Sequence, residues 1–224
     1  HTHGLITDWS IRSDADWCIA SLRKSLPVAV GGVLWSPKGE ILPDVIKPTA
    51  ECKEMAMERY EAMTMKAEYL RKVYTTSTAD ADAKNAFREK YVETEDQISN
   101  LTLSGIDSQS WEISNTFNIK QWTDLKYDNW LLANELLGKK FKVLGGERND
   151  YWQPFSLILL LDTAKERDAL RQYMVKNKIY PAILWGMPKN SEFEEARDFS
   201  ERMLSVHCDI RYSIAEIVEM CNKI

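Results

Sequence analysis

Along the first 45 residues, apolar positions come in short runs broken by turn formers. Trp17-Cys18-Ile19-Ala20 follows the turn-like Ser13-Asp14-Ala15-Asp16, and Val33-Leu34-Trp35 follows Gly31-Gly32 and precedes Ser36-Pro37-Lys38-Gly39. Runs of this length bounded by Gly, Pro, Ser and Asp predict strand, turn, strand. The spacing then lengthens. Thr49 is a suitable N-cap, and Ala56, Tyr60, Met63, Ala67, Leu70 and Tyr74 recur by fours and threes, predicting one face of a long helix. Met55, Met57, Met63 and Met65 at this spacing are expected to fill core. Thr75 to Thr78 interrupts the pattern, and a more polar helix is expected from about Asp80 to Ile98.

Ser104-Gly105-Ile106-Asp107-Ser108 predicts a turn and a helix start. A helix over 119–137 is expected, with Trp122, Leu125, Leu132 and Leu136 inward and Gly138 as its stop. Gly145-Gly146 reads as a loop; without a third glycine and a following helix it is no dinucleotide loop. Beyond it the spacing alternates. Strands are expected at 155–161, 180–185 and 203–208, and helices at 164–177, 191–202 and 213–222, the first opened by Asp162 or Thr163. Such alternation predicts an α/β or α+β layer in which helices cover a sheet.

Composition narrows the class. The chain has 224 residues, 44% hydrophobic and 28% charged, with net charge −5 and a pI near 5.4. A globular chain of this length buries roughly 70% of its unfolded surface. The charges are mixed, and no basic stripe suits nucleic acid. The longest apolar run, Leu157 to Leu161, suits a buried strand and falls well short of a membrane span, so neither nucleic acid nor membrane is an expected partner. Cys18, Cys52, Cys208 and Cys221 are widely spaced and form no CxxC pair, which favours reduced core thiols and a cytoplasmic setting. No signal peptide is visible, and a first residue of His1 rather than methionine points to processing or truncation. His1, His3 and His207 match no zinc spacing, so no metal is expected. Asp209-Ile210-Arg211-Tyr212 reads as an internal ion pair at a strand end, with substrate contact the alternative.

Chemistry concentrates at Ser21-Leu22-Arg23-Lys24, with Gly31-Gly32 seven and eight residues after the lysine. Lys24 follows an apolar strand and precedes Leu26-Pro27-Val28-Ala29-Val30, a position that can be kept from water. Desolvation disfavours the ammonium, leaving a free amine able to condense with an aldehyde. Ser21, and the guanidinium of Arg23, are candidate phosphate donors.

This run resembles the cofactor-lysine segment of the DegT/DnrJ/EryC1/StrS family of sugar aminotransferases, in which a serine-containing strand ends near the lysine and a Gly-Gly pair follows at the same offset. His1-Thr2-His3-Gly4 resembles the family's segment just after the aspartate that binds the pyridine nitrogen, which puts His3 at the cofactor ring. The resemblance touches most of the chain and is specific between Asp16 and Gly32; the helical pair from Lys47 to Asn100 is longer than expected, and the Ser21-to-Lys24 spacing is shorter than usual. It implies the remainder of a fold-type I large domain over 1–117, with a helical segment at 49–98, then an inter-domain helix and small C-terminal domain over 118–224. It also implies pyridoxal 5'-phosphate bound by Lys24, Ser21 and His3, with Lys24 as the catalytic residue. An amino donor and a keto acceptor, typically on a nucleotide-linked sugar, would be the small-molecule partners, and a homodimer the assembly. On this resemblance an N-terminal half or partner chain is missing, and the isolated chain is expected to turn over little. The alternative is a non-catalytic or truncated relative that serves as a partner-binding scaffold.

Overall fold

A computed structural model describes residues 4, 5, 7, 10, 12–145 and 154–224 of the chain. The described residues form a mixed helix and sheet protein that divides into two compact units, His1–Phe117 and Asn118–Ile224.

In the first unit, β1 (Cys18–Ser21) pairs antiparallel with β2 (Gly32–Trp35), Cys18 opposite Trp35 and Ser21 opposite Gly32. A single 3-10 turn, Leu22–Lys24, starts the connection between them. Two long helices follow, α1 (Ala50–Thr76) and α2 (Ala81–Asn100), and then the short α3 (Ser108–Thr116). Each begins where a polar side chain satisfies a free backbone N–H: Thr49 accepts from Cys52 N, Asp80 from Ala83 N, and Asp107 from Gln109 and Ser110 N. Ser77 ends α1 in the left-handed region at φ 55°.

The buried face of α1 is Cys52, Met55, Ala56, Arg59 and Ala62, rotated by about one residue from the stripe expected from spacing. Leu70 and Tyr74, expected inward, are 52% and 83% exposed. Of the four methionines, Met55 fills core but Met57 is 64% exposed. The cause is Arg59. A charged residue at the centre of the buried stripe makes the true face look polar.

In the second unit, α4 (Ile119–Leu137) precedes a three-stranded antiparallel sheet of order β3-β4-β5, formed by Lys142–Leu144, Leu157–Leu160 and Met203–Val206. Leu157 pairs with Val206 and Leu159 with Leu204, all essentially without solvent contact. Burying each such side chain contributes roughly 1.5–3 kcal/mol. The helices α5 (Ala164–Lys176), α6 (Glu194–Arg202) and α7 (Ile214–Lys223) complete the unit. Trp130, Leu137, Met174 and Ile217 bring α4, α5 and α7 into one core with β4 and β5. Full capping boxes open α5 at Thr163/Glu166 and α7 at Ser213/Glu216.

The expected strand at 180–185 is reduced to one bridge, Ala182 to Ser205. Pro181 lacks the N–H that a ladder needs, and Leu184 N turns to Met203 Sδ instead. In α4, Leu125 is 47% exposed rather than inward, while Lys126, Tyr127 and Trp130 are buried. No helix among the described residues is long and apolar enough to cross a membrane.

Candidate functional site around Lys24

The excursion from Ser21 to Gly32 is held at both ends. Leu22 N donates to Gly31 O at 3.0 Å, continuing the β1–β2 ladder into the turn. Ser25 N and Leu26 N both donate to Leu22 O, at 2.9 and 2.7 Å, and wind the chain tightly around Lys24. Leu26, Val28, Ala29 and Val30 are buried, and Ala29 and Val30 pack on Cys52, Met55 and Ala56 of α1. Val30 N lies 3.5 Å from Ser110 Oγ, which also shares a 2.9 Å hydrogen bond with Tyr60 Oη. Gly31 sits at φ +124°, a conformation that favours glycine, and an added Cβ would also press on the tip of Ile106 at 2.7 Å from Cδ1.

Ser21, Lys24, Gly31 and Gly32 are thus parts of one small hairpin loop. Lys24 is exposed on it and makes no hydrogen bond or ion pair among the described residues. The shielding expected from the flanking apolar residues is not supplied among the described residues: those residues turn inward to anchor the loop and leave the lysine outside. Ser21 is partly buried and its hydroxyl caps nothing in the turn. His3 lies outside the described residues.

Arg23 does not serve as the free cation expected for a phosphate. Its Nη2 and Nη1 donate to the two oxygens of Glu95 on α2, at 2.7 and 3.1 Å. Arg59 of α1 joins the same carboxylate at 3.0 Å and donates to Thr94 Oγ1 at 3.0 Å. Burial pushes the Glu95 carboxyl up, but Arg23 and then Arg59 outweigh it and hold it below the ordinary carboxylate range. Sequence reasoning missed this cluster because Glu95 is one of many charges on a polar helix, and only the folded hairpin brings it to Arg23.

A groove of about 350 Å³ opens beside the same helices, lined by Glu51, Glu54, Met55, Glu58, Asp96, Gln97 and Asn100. Its four carboxylates would repel a phosphate, and Lys24 does not line it.

In the second unit, Lys126 is buried with its ammonium 4.9 Å from the centre of the Trp122 ring and 5.6 Å from that of Phe155. Burial lowers its pKa, with Cys208 and Asp209 acting in the opposite direction. Burial raises the Cys208 thiol to about 12, which keeps it protonated. Asp209 pairs with Arg211 at 2.7 Å, the internal ion pair expected from the sequence. Among the described residues no cluster of His, Cys, Asp or Glu could hold a metal.

Over 93% of its length the chain superposes on half, 50%, of a DegT DnrJ EryC1 StrS aminotransferase from Brucella abortus, with a TM-score of 0.51 and 14% identity. Its fold is similar to half of that protein's. The likeness expected from the sequence therefore holds at the level of the fold, and the chain spans about half the length of the enzyme it matches. A sugar aminotransferase from Micromonospora echinospora, CalS13, is similar over 49% of this chain and 32% of its own, at 12% identity and a TM-score of 0.39. No protein-family profile and no curated protein sequence matches the chain.

Proposed function

We propose that this chain is the lysine-bearing portion of a pyridoxal-phosphate-dependent, fold-type I aminotransferase that passes an amino group to a keto group carried by a nucleotide-linked sugar. The observation that carries the reading is the Lys24 turn. Its backbone is fixed by hydrogen bonds on both sides and by buried neighbours, yet its one primary amine projects outward without a partner among the described residues. The likeness in fold to an aminotransferase adds to this.

The residues present suit the cofactor. Lys24 offers the amine, Ser21 an uncommitted hydroxyl for a phosphate oxygen, and Gly32, opposite Ser21 and lacking a side chain, leaves room beside it. Pyridoxal phosphate, when bound, supplies the electron sink that lets a carbon–hydrogen bond next to nitrogen be broken. Lys24 Nζ would hold the group covalently at rest and, once displaced by an amino donor, would carry a proton from the donor carbon to the cofactor, and in the second half-reaction from the cofactor to the acceptor carbon. The loop Ser25–Val30 fixes the Lys24 backbone relative to Ser21, so the root of the side chain is set before substrate arrives. Exclusion of water from Lys24 comes, in this reading, from the rest of the enzyme or from a second subunit of a homodimer.

Titration of the chain with pyridoxal phosphate tests the assignment. A saturable absorbance band of the lysine-bound cofactor, abolished in Lys24→Ala and weakened in Ser21→Ala, is expected. A band of equal height in Lys24→Ala would remove the assignment.

A further inference from the structure

We infer that Glu95, on the long helix α2, is a positioning residue that sets the place of Lys24 by clamping its neighbour Arg23; the inference rests on the reading of Lys24 as the cofactor lysine. Both Glu95 oxygens are used. Oε1 accepts from Arg23 Nη2 at 2.7 Å, while Oε2 takes Arg23 Nη1 at 3.1 Å and the Arg59 guanidinium at 3.0 Å. A two-pronged guanidinium–carboxylate pair fixes orientation as well as distance, which one ammonium contact would not.

The carboxylate is itself anchored. Arg59 is 8% exposed, lies 5.2 Å from the Tyr91 ring centre, and donates to Thr94 Oγ1, and Thr94 is fully buried and bonds back to Lys90 O at 2.8 Å. The chain of contacts runs from the α1–α2 hairpin through Arg59, Glu95 and Arg23 to the residue beside Lys24. Without it, no side chain of the 3-10 turn itself would be tied to the helices, and the turn would rest on the amides donating to Leu22 O, the Leu22 N bond to Gly31 O and the buried residues Leu26 and Val28 to Val30. Glu95 stands 72 residues from Arg23, so the long hairpin acts as a brace for the lysine turn.

The test combines amide exchange without cofactor and cofactor titration, on the wild-type chain, Glu95→Gln, Arg23→Met and, as control, Glu93→Gln. Glu95→Gln and Arg23→Met are expected to speed exchange at Ser25 and Leu26 about tenfold, the effect of losing one charge-assisted contact. In Arg23→Met, which leaves the Glu95–Arg59 pair in place, amides within α1 and α2 should stay near wild type, which a general loss of stability would not allow. The concentration of pyridoxal phosphate that half-saturates Lys24 should rise by a similar factor, and Glu93→Gln should change nothing. Unchanged exchange at Ser25 and Leu26 in Glu95→Gln overturns the positioning role, whatever the cofactor does. Faster exchange with no capture of cofactor by any of the proteins upholds the brace and removes the cofactor reading instead.

Discussion

Lys126 shows how one side chain can act against the stability of its own surroundings. Its ammonium sits between two aromatic rings, and burial pulls its pKa below the ordinary lysine range. The unfolded chain therefore keeps this proton to higher pH than the folded one does. The stability Lys126 contributes is complete only above its unfolded value of about 10.4, and is lost as pH falls through its folded value. Lys126→Met is expected to stabilise the second unit by about 1 kcal/mol in urea unfolding at pH 7, with the gain shrinking as pH approaches 10. A loss of similar size would mean that contact with the rings outweighs the missing hydration. At Gly31 the effect is steric: Gly31→Ala forces a Cβ into φ +124° and against Ile106, and should cost about 1–3 kcal/mol in the same measurement.

Elements were legible in the sequence where the evidence for them is local. The caps at Thr49 and Thr163, the break before Asp80 and the stop at Gly138 mark helix ends through residues within one turn. Faces were less legible. Arg59 and Lys126 lie in buried stripes, so a reading that counts apolar residues turns α1 and α4 toward Leu70 and Leu125 instead. The three-residue β3 is too short for alternation to show, and Pro181 reduces an apolar run to a single bridge. Ser21, Lys24 and the glycine pair were found together because they belong to one short excursion, whereas the Glu95 brace depends on a fold that no local pattern announces. The capping boxes give a test at this scale. Ser213→Ala should cost about 1 kcal/mol of stability by removing the acceptor for Glu216 N, while Ser213→Asp should largely retain it.

For the whole chain, overlap with half of an aminotransferase at 14% identity means the architecture persists while most side chains differ. Buried positions need only be apolar and of about the right volume, so a fold can outlast recognisable sequence. A catalytic amine has no such freedom. The most direct measurement is borohydride trapping at substoichiometric pyridoxal phosphate, followed by peptide mapping of every lysine. The account predicts that the phosphopyridoxyl group is found chiefly on Lys24, saturably, and is displaced by an added amino donor. Label spread evenly over exposed lysines such as Lys53 and Lys84, or unchanged in total when Lys24 is replaced by alanine, would contradict it.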